Sequence, residues 1–169
     1  MKETDSYKYL NAKPDQISAA LELLKIAALR LQFKQLSQWS YWLDPPQERL
    51  EWLKQGFENK EYFFLELDSK IIAMYRLMEL DLKYWGERSD SAYYIHSLVV
   101  HPDYKGQGIG AQIIRKIHEL AVTNHKQFLR LDCDASNPAL CDYYRQLGFD
   151  EVGLIHLELS VNRQFQRSV

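Results

Sequence analysis

Between residues 92 and 125 an apolar, strand-like stretch runs into a short loop, three alternating glycines and an amphipathic helix. No other passage limits the fold as much. Its centre reads Leu98-Val99-Val100-His101-Pro102-Asp103-Tyr104-Lys105-Gly106-Gln107-Gly108-Ile109-Gly110-Ala111. Glycine has no Cβ, so the backbone there can take positive φ and approach a ligand closely. The free N–H groups of a helix's first turn, with the positive end of its dipole, make an anion site. Lys105 adds a mobile cation beside it. A phosphate-bearing ligand is the natural occupant, and a tight strand-to-helix turn without a ligand is the plain alternative.

The two hydrophobic periods divide the rest of the chain. Residues 7–10 read as a short strand, and Pro14 opens a helix with Ile17, Ala20, Leu21, Leu24, Ala27, Ala28 and Leu31 at helical spacing. Asp44-Pro45-Pro46 opens a second helix, continued on one face by Leu50, Leu53 and Phe57. Residues 62–67 and 71–80 read as strands around the turn residues Asp68-Ser69-Lys70, and 84–91 as a polar loop. Strand 92–100, helix 108–125, strand 128–133 and helix 138–147 follow, and Gly148 ends the last helix. Residues 149–161 are strand-like again. The order predicts an α/β mixture with an antiparallel front half and at least one βαβ crossover.

Length and charge narrow the class. A chain of 169 residues fits one domain, 1–169, with enough interior for a core without staples. Twenty-one Lys and Arg against twenty-three Asp and Glu leave a formal charge of −2, which argues against nucleic acid or an anionic membrane as the main partner. No apolar run approaches the ~18 residues of a membrane span. Residues 1–5 are polar, without the apolar core of a signal peptide. Cys133 and Cys141 form no CxxC and no disulfide framework, and the five histidines show no metal-binding spacing. A reduced, cytoplasmic protein is the simplest expectation, with a homodimer left open.

Which phosphate ligand the loop takes is a separate question. A P-loop is absent, since no Gly-Lys-Ser/Thr occurs. Gly106-x-Gly108-x-x-Ala111 with Asp132 further on satisfies a dinucleotide fingerprint. However, residues 101–105 intervene after the strand, and the chain beyond Asp132 is short for a six-stranded doubly wound sheet. A dinucleotide-binding protein stays a rival only.

The run Val99 to Gly110 resembles motif A of the GCN5-related N-acetyltransferases (GNAT), V-x-P-x-x-R/Q-x-x-G-x-G/A. Asn137-Pro138-Ala139 and Tyr144-Arg145-Gln146-Leu147-Gly148-Phe149 resemble their motif B, N-x-A…Y-x-x-x-G-F. The likeness covers about residues 62–152, in the right order. It departs at Lys105, where Arg or Gln is usual, and after Gly148, where one clear strand and a tail, 162–169, stand for the family's two strands. The resemblance implies a GNAT-like acyltransferase fold: a central, mostly antiparallel sheet of six or seven strands flanked by about four helices, with strand 92–100 splayed from 128–133. It implies acetyl-CoA as co-substrate. Its pantetheine would lie on the backbone of Leu98, Val99 and Val100, and its pyrophosphate on Lys105, Gly106, Gln107, Gly108, Ile109, Gly110 and Ala111. Asn137 would be a cofactor contact, although as a residue it reads equally as a helix N-cap. Tyr144 would touch the cofactor too and act as the general acid for the departing thiolate.

The implied activity is acetyl transfer to a primary amine of a small molecule or peptide by direct attack in a ternary complex. A non-catalytic acyl-CoA sensor is the alternative. Two residues compete as base, and a base acting through ordered water with no single essential residue is the third reading. Period-two alternation puts Arg130, Asp132 and Asp134 on one face of their strand, and Asp132 lies five residues before Asn137, where some family members carry a catalytic Glu. His96 has the imidazole pKa suited to base work near neutrality. On the acceptor side, Trp39, Tyr41 and Trp42 cluster at a helix-to-helix connection, a region from which the family often builds its acceptor pocket. Glu79 and Asp81 could attract an ammonium. Core packing and solvation are the plain readings for both groups.

Overall fold

The computed structural model describes residues 7–169, so the polar segment 1–5 lies outside the described residues. Five α-helices are present: α1 (Ile17–Phe33), α2 (Gln47–Glu58), α3 (Leu82–Trp85), α4 (Ile109–Thr123) and α5 (Pro138–Gln146). Seven strands, β1 (Lys8–Asn11), β2 (Tyr62–Leu67), β3 (Lys70–Met78), β4 (Ala92–Val100), β5 (Phe128–Asp134), β6 (Asp150–His156) and β7 (Val161–Ser168), form one sheet ordered β1-β2-β3-β4-β5-β7-β6. Only β4 and β5 run parallel; every other neighbouring pair is antiparallel. This is the mixed α/β, mostly antiparallel architecture expected, and it excludes the doubly wound parallel sheet that the dinucleotide rival requires.

Side-chain alternation in the strands gives the sheet two apolar faces. On one, Ile113, Ile114, Ile117 and Ala121 of α4 pack against Leu65, Tyr93, Ile95, Leu129, Leu131 and Phe165. On the other, Ala20, Leu24 and Ala28 of α1 and Leu53 and Phe57 of α2 pack against Tyr62, Phe64, Met74 and Val99. The α2 face differs from its sequence expectation by one residue. Leu50 is only half-buried, whereas Arg49 is buried beside Leu53 and Phe57. No helix among the described residues is long and apolar enough to cross a membrane.

The C-terminal region corrects the sequence reading. Residues 149–161 are not one strand followed by a tail: β6 ends at His156, and Leu157 N–H donates to the Ser160 carbonyl (2.8 Å) in the turn to β7. β7 then inserts between β5 and β6. Its sequence, Val-Asn-Arg-Gln-Phe-Gln-Arg-Ser, is mostly polar, and Phe165 alone is fully buried. Backbone pairing, that one ring and side-chain hydrogen bonds, such as Gln164 to the Tyr84 carbonyl and Arg167 to the Leu147 carbonyl, hold the strand.

Phe165→Ala should therefore lower the unfolding free energy by about 3–5 kcal/mol, the usual cost of deleting a buried ring. Urea denaturation measures it, and a loss below about 1 kcal/mol would show that the ring does not anchor β7.

Candidate active site

Parallel pairing between β4 and β5 runs from Ala92↔Phe128 to Ile95↔Leu131 and stops there. Beyond that point β4 stays on β3, through Met74↔Val99 and Ala73↔Val100, while β5 stays on β7 as far as Asp134↔Asn162. β4 takes three steps from His96 to Val99 while β3 takes two from Arg76 to Met74. The extra residue is a bulge at Ser97, whose φ is 52°, and a bulge bends its strand and increases its twist. The two strands diverge, and a cavity of ≈ 320 Å³ occupies the gap. Leu98, Val99 and Val100 line it from β4, Asp132, Cys133 and Asp134 from β5, and Asn137, Leu140 and Tyr144 from the start of α5 and along it.

At one end lies the glycine loop. Gly106 and Gly108 have φ of 79° and 73°, and the space a Cβ would enter at either is empty. Gly108 is the N-cap of α4, leaving the first-turn N–H groups of that helix without intrahelical acceptors. Only backbone is offered at the helix start itself. The Ile109 side chain is buried in the core, and a Cβ on Gly110 would lie 2.9 Å from the Tyr143 hydroxyl. Gln107 is exposed. Lys105 shares this mouth with Arg30 of α1 and Lys34, which caps that helix; the crowding of Lys34, then of Arg30, lowers its pKa. None of the three cations has an acidic partner among the described residues. Three unneutralised cations beside a glycine-cradled helix N-terminus fit the phosphates of a nucleotide-type ligand.

Acids dominate the inner end. His96 Nε2 lies 2.6 Å from Asp81 Oδ2, and His96 Nδ1 lies 3.8 Å from Asp132 Oδ1. All three side chains are nearly or fully buried. Asp132 Oδ2 accepts from Asn162 Nδ2 at 2.6 Å, while Asp132 Oδ1 and Asn162 Oδ1 have no partner. Burial opposes the imidazolium, but the hydrogen bond to Asp81 and the Asp132 charge outweigh it and raise the His96 pKa. Burial raises the Asp132 pKa, against the pull of His96 and Asn162. The Tyr84 ring (4.7 Å) and the edge of Trp52 (5.8 Å) hold the imidazole in place. Tyr144 is buried between Tyr143, Phe149 and Phe165, and burial pushes its phenol pKa well up.

The sequence model of the Acetyltransferase (GNAT) family matches residues 28–149. The chain belongs to that family. Among curated relatives, the uncharacterized N-acetyltransferase YesJ of Bacillus subtilis is 29% identical over 103 residues, 58% of this chain and 57% of YesJ. Thialysine N-epsilon-acetyltransferase of Bos taurus is 37% identical over 59 residues, 35% of each chain. The GNAT chain thus spans less than two thirds of the length of these relatives. A GNAT-family acetyltransferase structure from Listeria monocytogenes shares the fold at a TM-score of 0.77 and 22% identity, over 96% of this chain and 95% of that one. AAC(6')-Ib, in complex with ribostamycin and coenzyme A, matches at a TM-score of 0.72 and 16% identity, over 97% and 94%.

In this GNAT chain the fold brings most of the sequence candidates to one cleft. Leu98, Val99, Val100, Lys105, His96, Asp132, Asn137 and Tyr144 all line it, as do Trp39, Tyr41 and Trp42. Asn137 caps α5, accepting from Leu140 N–H at 3.2 Å, and donates to Gln38 Oε1 at 2.8 Å. Gly106, Gln107, Gly108, Ile109, Gly110 and Ala111 lie beside the mouth of the cleft, next to Lys105, rather than in its lining. Glu79 is apart from the cleft. It is exposed, pairs with Lys126 at 2.6 Å and faces a separate depression. β3 ends at Met78, and the chain turns so that Asp81 enters the site, where its Oδ1 also accepts from Tyr84 N–H. Arg49, Trp52, Tyr84 and Asn162 line the same cleft with no motif to announce them.

An NMR titration of His96 should give a midpoint above the ordinary 6.5. Asp81→Asn should bring it down, because burial then acts with less opposition. A midpoint at or below 6.5 in the unsubstituted protein would contradict the geometry described.

Proposed function

We propose that the protein is an N-acetyltransferase that moves the acetyl group of acetyl-CoA to a primary amine of a small molecule or peptide, in a ternary complex. The observation that carries this reading is the parting of β4 from β5 beyond Ile95↔Leu131, ending at a glycine-cradled helix N-terminus. One relative is named for acetylating the ε-nitrogen of thialysine, and AAC(6')-Ib was solved with coenzyme A; both accord with it. Acetyl-CoA supplies the activated acyl group as a thioester.

The chain's own residues then have distinct tasks. The free edge of β4 at Leu98, Val99 and Val100 pairs with the amide groups of pantetheine as an added strand would. The first turn of α4, with Lys105, Arg30 and Lys34, takes the phosphates. At the inner end Nε2–H of His96 donates to Asp81, which leaves the Nδ1 lone pair facing the unpartnered Asp132 Oδ1 across 3.8 Å. An ammonium placed there donates to both atoms. His96 takes one proton from it, and the raised imidazole pKa means that the accepting form grows as pH rises above the ordinary range. The neutral nitrogen then bonds to the acetyl carbon as the C–S bond breaks, the Tyr144 hydroxyl gives its proton to the departing sulfur, and the acylated nitrogen passes its surplus proton to the Asp132 carboxylate, leaving a neutral amide. Burial raises the phenol's pKa, but the same dry surroundings raise that of the thiol it protonates, so the match between them survives.

Acetyl-CoA at about 100 times its Kd should raise Tm by roughly 5–10 °C, whereas NAD(H) and NADP(H) should not. Gly108→Val places a branched side chain in the empty cradle at φ 73°, and the shift should vanish in a variant that still unfolds cooperatively. A shift from NAD and none from acetyl-CoA would reverse the assignment.

Tyr144→Phe keeps the ring that packs on Phe149 and Phe165 and removes only the proton donor. The acetylation rate should fall about 10²–10⁴-fold with acetyl-CoA affinity little changed. Full activity in the Phe variant would remove Tyr144 from the catalytic machinery.

A further inference from the structure

Three arginines are buried in this fold, and two of them are neutralised in place. Arg76, 1% exposed, donates Nε and Nη2 to Glu61 Oε2 (2.9 and 2.6 Å) and Nη1 to the Trp52 carbonyl (3.0 Å). Arg130, also 1% exposed, pairs with both Asp90 oxygens (2.5 and 2.9 Å) and bonds Gln166 and Tyr94. Arg49 is different. It is 8% exposed, its guanidinium lies 4.4 Å from the centre of the Tyr41 ring, and its Nη1 donates to the Tyr84 hydroxyl at 3.0 Å. No carboxylate pairs with it among the described residues. The acid beside it in sequence, Glu48, turns to Lys83 at 2.9 Å. A guanidinium has five N–H donors; one goes to Tyr84, and the others have no protein acceptor and keep solvent access where the group lines the cavity.

A buried cation without a counter-ion is costly to keep. Tyr41 and Tyr84 fix this one in the cavity wall, and the Tyr84 ring is the same one that packs against His96. Arg49 therefore belongs to the His96–Asp132 end of the cleft, opposite the Lys105 mouth. That end also holds the unpartnered acceptor Asp132 Oδ1. The two unmet demands, one for a donor and one for an anion, lie in one cavity.

We propose that Arg49 binds a carboxylate of the acceptor, so that the substrate is a small amino carboxylate whose amine sits at His96 and Asp132; this rests on the acetyl-transfer reading above. The planar fork of arginine suits a carboxylate in two-point contact. The same charge repels polycationic amines that carry no carboxylate.

The test is a panel of ω-amino acids from glycine to 6-aminohexanoate, with L-lysine, each beside its carboxamide, and cadaverine beside lysine. Two measurements are made: acetyl transfer with acetyl-CoA, and the Tm shift from each compound with coenzyme A present. At least one carboxylate should exceed its amide by about tenfold to a hundredfold in kcat/KM and should alone raise Tm. In Arg49→Gln, and in Arg49→Lys, which keeps the charge without the fork, that ratio should collapse towards one. Should Arg49 merely brace Tyr41 against Tyr84, the variants lose stability while the ratio stays. Equal rates on acid and amide, a ratio retained in the variants, or no shift and no transfer from any carboxylate would overturn the proposal. Transfer to amides or cadaverine alone would do so while leaving the acetyltransferase reading intact. A carboxylate-specific Tm shift lost in Arg49→Gln, with no acetyl transfer, would uphold the carboxylate site and sink acetyl transfer instead.

Discussion

β4 and β5 share only four register pairs; beyond Ile95 and Leu131 each strand loses that partner and is held from its far side, except at the Ser97–Leu98 bulge of β4. Backbone N–H and C=O groups left unpaired in a dry interior cost about as much as a lost hydrogen bond. The gap persists because each strand is held from outside and the cavity stays open to a ligand. β3 holds β4 through a register that absorbs the bulge at Ser97, and β7 pairs with every residue of β5 from Phe128 to Asp134. The strand with the least apolar sequence thus has a large influence on the site. It fixes the spread of β5, and it delivers Asn162 to Asp132 at 2.6 Å.

Charge follows the same axis. Lys105, Arg30 and Lys34 gather at the loop mouth, whereas Asp81 and Asp132 meet around one imidazole at the inner end. On the proposed reading, the phosphates of an elongated ligand and an amine-bearing partner are drawn to opposite ends of one cavity. The wall between includes backbone and apolar side chains of β4 and α5, such as Leu98, Val99 and Leu140. Arg49 interrupts the acidic end with one positive point, and that interruption carries information about the acceptor.

The legible parts of the sequence were those with strong local periodicity or special backbone needs. Residues 62–67 and 92–100 coincide with β2 and β4, since apolar runs bounded by turn residues have few other solutions. The glycine loop was legible because positive φ at 106 and 108 requires glycine. Asp132 and His96 could be paired as candidates because alternation and spacing place residues on a strand face. β7 was not legible: a polar run with one phenylalanine gains its structure from non-local backbone pairing. Asp81 stood only two residues from Glu79, but strand parity stops at Met78, and a turn decides which acid points inward. Arg49 carries no local signal beside Leu50; tertiary packing rotates the buried face of α2 by one residue and takes Arg49 inside. Arg30 and Lys34 lie some seventy residues before the loop they serve, and no local pattern connects them.

Four buried side-chain polar atoms among the described residues lack a hydrogen-bond partner, and two of them, Asp132 Oδ1 and Asn162 Oδ1, sit on one hydrogen-bonded pair at the inner end of the cleft. An unsatisfied buried acceptor costs about 1–3 kcal/mol. The charges of Arg76 and Arg130, by contrast, are surrounded with acids, carbonyls and rings. The other two unpartnered atoms, Tyr9 Oη and Trp85 Nε1, lie elsewhere in the fold, whereas the Asp132–Asn162 pair sits where two strands part, in the cavity that Arg49 also lines. On the proposed reading an amino carboxylate meets both demands, its ammonium at the Asp132 acceptor and its carboxylate at the guanidinium, and selectivity follows because a ligand lacking either charge leaves one of these groups without that partner.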